Sequence, residues 1–312
     1  MGITYFITGV ILTISIAYIF YRFGWMSIVF FILLVIGTFF FNGYEANFSF
    51  NILPLIAGIT GGYCFKKGLG LDFLITVSSL LFAVSVTADY HISKHTKGYD
   101  FIDHSVVETV RLLEENKVKM EPVFEQYNVT EGDRKVFLES IDLYIGILND
   151  SKWVQFAKDM IPFAAFFYSI LLTGFSFFLM KKFFMKKFGE GVKALEFFRV
   201  NEFVIFILIA GWGIFIMIDK VQYPVIAVIA LNIALAASVL YTIQAIGIIK
   251  FFIIKRGLPV FILPLLIITL LFMPVVFIFV MTMLTGIGVL DLWGDFRKLQ
   301  SGEEININDR GK

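Results

Sequence analysis

Ile161-Pro-Phe-Ala-Ala-Phe-Phe-Tyr-Ser-Ile-Leu-Leu-Thr-Gly-Phe-Ser-Phe-Phe-Leu-Met180 carries no charged side chain, and Lys181, Lys182, Lys186, Lys187, Lys193 and Arg199 follow it. Crossing about 30 Å of hydrocarbon at about 1.5 Å per residue takes roughly 20 apolar residues, so this stretch predicts a membrane-spanning helix. The basic run behind it predicts a cytoplasmic loop. Similar apolar stretches near 3–21, 25–42, 51–65, 71–88, 202–218, 223–249 and 259–289 bring the expected number of spans to about eight. Each should be helical. Lipid offers no partner to backbone N–H and C=O groups, and continuous apolar runs are not the alternating pattern of a barrel strand.

The wider composition agrees. Hydrophobic residues make up 58% of the chain and charged ones 16%, against roughly 25% charged in soluble domains. The expected class is an all-α polytopic transmembrane bundle, with the lipid bilayer as its surroundings. A net charge of +1 and the confinement of Lys and Arg to loops argue against a nucleic-acid partner. A single cysteine, Cys64, excludes an internal disulfide and a Cys-rich metal centre. Met1 to Phe20 lacks the basic start and small-residue cleavage site of a signal peptide and is expected to be a retained helix.

Loop charge sets the orientation. Arg22, the pair Lys66 and Lys67, the 181–199 run, and Lys250 with Lys255 and Arg256 follow the first, third, fifth and seventh spans, which places them on one side and the N-terminus on the other. Taking 259–289 as one long tilted helix puts the C-terminal tail outside as well, whereas a hairpin broken at Pro274 would leave it cytoplasmic. The chain then divides into four spans over 1–89, an extracytoplasmic insertion over 90–158, four spans over 159–290 and a polar tail over 291–312.

The insertion is too long for a plain connection. A first amphipathic helix is expected from about Ser105 to Gln126, with Val106, Val110 and Leu113 on one side and Glu108, Arg111 and Glu115 on the other. A second starts at Thr130-Glu-Gly-Asp133 and carries Phe137, Ile141, Tyr144, Ile145 and Leu148 at helical intervals. Its apolar face needs a cover: the membrane surface, a neighbouring helix or a partner. His91 and His95 share one helical face at a spacing that can hold zinc, but no further ligand completes a tetrahedron, so no metal or other cofactor is expected.

Within the spans, polar groups stand out because lipid makes them costly. Over 223–249, Ala227, Ala230, Ala234, Ala237, Ser238, Tyr241 and Ala245 form a small-residue stripe suited to close helix packing. Asn232 lies nearly opposite the stripe, near mid-membrane, and Gln244 to its side. With Tyr241 these are the candidate substrate contacts, the alternative being interhelical hydrogen bonds. Gly9, Thr13 and Ala17, and Gly58 with Gly62, read as further close-contact faces. No intramembrane carboxylate or lysine pair, phosphate-binding loop or nucleophile motif is present, so an enzyme is not expected.

Three blocks near the end carry a resemblance: Ala230-Leu-Asn232, then Leu240-Tyr-Thr-Ile-Gln-Ala-Ile-Gly247 with Phe251-Phe252, and Gly288-Val-Leu-Asp-Leu-Trp-Gly-Asp-Phe-Arg-Lys298. They resemble the closing blocks of the YybS-like family of bacterial membrane proteins. That family is similar to the substrate-binding S components of energy-coupling-factor transporters. The resemblance implies a small-solute-binding or uptake component of a bacterial cytoplasmic membrane that docks on a coupling subunit and ATPases, and it supplies no catalytic or ligand residues. In the last block, Trp293 suits the headgroup belt with Arg297 over its ring, while Asp291, Asp295 and Lys298 share the other face, together an interfacial anchor. The alternative function is a non-transport scaffold or assembly factor acting through 90–158.

Overall fold

The computed structural model describes residues 2–29, 31, 48–98, 100–188, 195–259, 261–263 and 274–297. The helices are α1 Gly2–Phe23, α2 Phe48–Lys67, α3 Leu71–Lys97, α4 Phe101–Gln126, α5 Glu131–Asn149, α6 Ser151–Asp159, α7 Ile161–Phe188, α8 Val204–Met217, α9 Pro224–Lys255 and α10 Pro274–Gly294, with a 3₁₀ turn at Leu195–Phe197. Among the described residues, four stretches are long and apolar enough to cross a membrane: Phe6–Phe23, Leu71–Thr96, Ile161–Lys182 and Pro224–Lys255. Val204–Met217 and Phe279–Gly294 are shorter apolar helices. The expected second span, 25–42, lies largely outside the described residues. Two compact units result, Met1–Ala83 with Phe163–Lys312, and Val84–Pro162.

In the larger unit, glycines let helices touch backbone to backbone. A Cβ on Gly58 would fall 2.6 Å from Ile16 Cβ, and one on Gly62 would fall 2.6 Å from the Ala17 carbonyl oxygen. Residue number rises together along both helices at these contacts, so α1 and α2 are parallel and end side by side. The Lys66 ammonium accordingly reaches to 2.9 Å from where a Cβ on Gly24 would sit. On the central helix α9, Ala234 lies beneath Gly211 of α8, and Trp212 Nε1 donates to Ser238 Oγ at 3.1 Å. Ala17, Cys64, Phe65, Leu74, Phe166, Phe198, Leu240 and Tyr241 belong to one buried core.

Helices α9 and α10 are parallel as well, since Thr242 meets Thr285 at 3.0 Å and Gln244 meets Gly288 at 3.1 Å. Past these contacts α9 runs about 16 Å further to Lys255, whereas α10 begins about 16 Å before them at Pro274. Lys255 and Pro274 therefore stand at opposite ends of the pair. An uninterrupted helix over 259–289 would begin about 22 Å beyond Pro274, further still from Lys255. The short step from Lys255 to Pro259 reaches at most about 14 Å, and of the expected helix over 259–289 the described residues show the part from Pro274 onward. Residues 264–273 lie outside the described ones. Arg297 lies against the Glu196 and Phe198 carbonyls, beside Lys250, and the tail beyond it lies outside the described residues.

In the smaller unit each helix starts on a side-chain cap. Asp100 Oδ1 accepts from the Ile102 and Asp103 amides at 3.1 and 3.4 Å, Thr130 Oγ1 from Asp133 N at 3.2 Å, and Asp150 Oδ1 from Lys152 N at 2.9 Å. Helix α4 thus begins earlier than its apolar pattern suggests. Helix α6 was not foreseen as a separate element. Phe124 of α4 meets Phe137 of α5 edge to face at 5.5 Å, and Lys117 bonds Asp142 at 2.6 Å. Ile141 is buried, but Tyr144 is 61% exposed, so the expected apolar face of α5 is split in two.

Candidate functional site

Where α9 and α10 meet the 195–200 segment, a polar node forms inside the larger unit. Gln244 is fully buried; its Oε1 accepts from the Val200 amide at 2.7 Å, and its Nε2 donates to the Gly288 carbonyl and Asp291 Oδ2, both at 3.1 Å. Arg297, 1% exposed, donates through Nη2 to Asp291 Oδ2 at 2.6 Å and through Nη1 to the Glu196 and Phe198 carbonyls, both at 2.9 Å. The other Asp291 oxygen accepts from the Phe296 amide at 3.0 Å, and Lys250 pairs with Glu196 at 2.6 Å.

This geometry corrects the anchor expected at the end of the chain. Arg297 turns into the protein to neutralise Asp291 and does not stack over Trp293, which is 71% exposed. Helix α10 ends at Gly294, and Asp295 takes φ +36°, the left-handed region an Asp tolerates. That reversal folds Arg297 back beneath Asp291. Glu196, Val200 and Lys250 escape a sequence reading because their partners are remote in the chain; the one available signal is an acid, Glu196, close to a basic run.

The three candidate substrate contacts do not converge. Asn232 accepts through Oδ1 from the Phe163 amide at 2.9 Å and donates through Nδ2 to the Val228 carbonyl at 2.9 Å. It therefore satisfies a first-turn N–H of α7, near the start of that helix and not at mid-span. Gln244 is consumed by the node. Tyr241 is wholly buried, and its hydroxyl has no hydrogen-bond partner among the described residues. Gly9, Thr13, Ala17, Gly58 and Gly62 lie in the packing of α1 with α2 and of α1 with Leu172 of α7; Ala234 and Ala237 are buried on α9. An open cleft of about 420 Å³ at the same end is lined by Asp72, Arg199, Val200, Asn201, Glu202 and Phe203.

His91 and His95 lie exposed on α3, which runs past its expected end to Lys97, and no cluster of three metal-ligating side chains occurs among the described residues. The smaller unit holds a second polar centre that sequence reading passed over. Asp100 Oδ2 receives Tyr90 Oη at 2.9 Å and the ammonium groups of Lys158 at 3.0 Å and Lys94 at 3.3 Å, while Lys158 also meets Asp103 at 2.6 Å. Burial opposes the charged carboxylate, yet the hydrogen bonds from Lys158, Tyr90, the Asp103 amide and Lys94 outweigh it and hold Asp100 at about 2. Burial likewise opposes the Lys158 charge, and its two carboxylate partners raise its pKa above the ordinary value.

Helices of spanning length and apolar composition, among them Leu71–Thr96, Ile161–Lys182 and Pro224–Lys255, define an all-helical integral membrane protein. A profile of the family described as "Predicted membrane protein (DUF2232)" matches residues 1–292. The chain belongs to that family. No curated protein and no solved structure matches it.

Proposed function

We propose that the protein is a membrane scaffold or assembly factor that presents its 84–162 unit to a protein partner and performs no chemistry of its own. One observation carries this reading. Helix α5 packs one side inward through Ile141 and leaves a second apolar side bare, with Val136 64%, Leu143 65%, Tyr144 61% and Ile147 41% exposed. The gathering of Arg22, Lys66, Lys250 and the 195–200 segment at one end of the larger unit supports a multi-pass arrangement with that end cytoplasmic and the 90–158 region outside. A photo-crosslinking residue at Leu143 is expected to give one discrete protein adduct in native membranes, and Ile147→Lys to remove it. Recovery instead with a coupling subunit, ATPases and a retained small molecule would overturn the reading.

That outcome would favour the solute-uptake reading, which one feature supports: the unpartnered Tyr241 hydroxyl in the core. On that reading Tyr241→Phe abolishes ligand retention without unfolding the protein.

A further inference from the structure

We propose that α6 is an interfacial helix that seats Trp153 and Phe156 in the headgroup layer of the bilayer, a role separate from the partner face assigned to α5. At 100° per residue Trp153, Phe156 and Ala157 fall within one arc of the helix, with Val154 and Lys158 on the other side. Lys158 is turned inward onto Asp100 and Asp103, fixing which arc stays free. Trp153 and Phe156 are 56% and 49% exposed and meet edge to face at 6.1 Å, so two large rings form a single apolar plate that stays open among the described residues.

The occupant follows from the tether. Met160 makes one turn, and Ile161 then opens α7, whose Ile161–Lys182 segment is long and apolar enough to span. Helical rise puts Trp153 only about 12 Å of chain from that start. Headgroup layers are about 5–7 Å deep on each side, so the tether holds Trp153 within reach of that layer once α7 is inserted, and the open arc of rings decides that it lies in it. Trp is the side chain best suited to that layer, apolar in body with one N–H for water or headgroup oxygen. Lys152 on one flank and Gln155 on the side opposite the rings, the latter bonded to Asp159 at 2.7 Å, give the helix a polar side.

The test uses the full chain in phosphatidylcholine vesicles whose lipid is brominated high on one acyl chain. The difference in fluorescence between the wild type and Trp153→Phe isolates this ring from Trp25, Trp212 and Trp293. Most of that difference signal is expected to be lost to brominated lipid and to be insensitive to aqueous iodide. A probe moved to the polar side, Gln155→Trp in the Trp153→Phe background, should show the reverse. Quenching of Trp153 by iodide and not by lipid would overturn the proposal, as would protection from both, the signature of a protein partner or a second copy on the plate.

Discussion

Arg297 is a full cation with almost no contact with water, and Asp291 is the anion that makes this tolerable. A buried ion pair adds little net stability against a well-packed apolar replacement, but removing one partner strands the other. Arg297→Met should therefore cost about 3–5 kcal/mol, read as a fall in the thermal unfolding midpoint in detergent, and Asp291→Leu combined with Arg297→Met should recover most of it. Equal losses in the single and double variants would show that the pair is not the source. Sequence reading marks Asp291, Arg297 and Gln244, but sets Arg297 over Trp293 and Asp291 on the opposite face. Its helical spacing rules assume an unbroken helix, and the chain leaves the helix between Asp291 and Arg297. Gln244 was legible as a buried amide because Ala and Ile surround it. Its partners Val200 and Gly288 were not, since nothing local announces a contact over such separations.

Helix pairs in this protein are set by where a side chain is missing. A Cβ on Gly288 would lie 2.1 Å from the Tyr241 carbonyl oxygen, whereas one on Gly286 meets nothing within 4 Å. Gly288→Ala should force α9 and α10 apart at a cost of about 1–3 kcal/mol. Gly286→Ala on the same helix should be neutral or stabilising by up to about 1 kcal/mol. Equal effects of the two substitutions on unfolding would contradict this account of the crossing. The Gly58 and Gly62 spacing could be read directly from the sequence, because a four-residue repeat of small residues specifies a face whatever its partner. The parallel course of α9 and α10 could not. An apolar run shows only that lipid or protein surrounds it, and the direction of the chain came from the parallel contacts of α9 with α10. Helix α6 was missed for the opposite reason: it is short, and its one sequence signal is the capping carboxylate of Asp150.

The smaller unit should answer to pH as a whole. Asp100 titrates near its ordinary 3.8 in an unfolded chain and at about 2 when folded. Its ionised form therefore stabilises the unit above about pH 4, and that contribution, about 1–2 kcal/mol, is lost as pH falls toward 2. Lys158, raised above its ordinary 10.5, contributes below that pH, and its share is lost as pH rises beyond it. Proteolysis within 100–159 should thus accelerate at both extremes, and in Asp100→Asn the acid limb should flatten. An unchanged acid limb in that variant would assign the sensitivity elsewhere. At this scale the helical membrane class was the most legible feature, since it rests on composition alone, while the meeting of basic turns at one end was implied by their alternation along the chain. The tie between Arg297 and the Glu196 carbonyl has a bearing on biogenesis. These two residues are separated by 101 positions, so during translation the earlier one emerges long before its guanidinium exists. Every helix made in between is complete while that joint is still unsealed, and only the closing turn at Asp295 brings its second half into place.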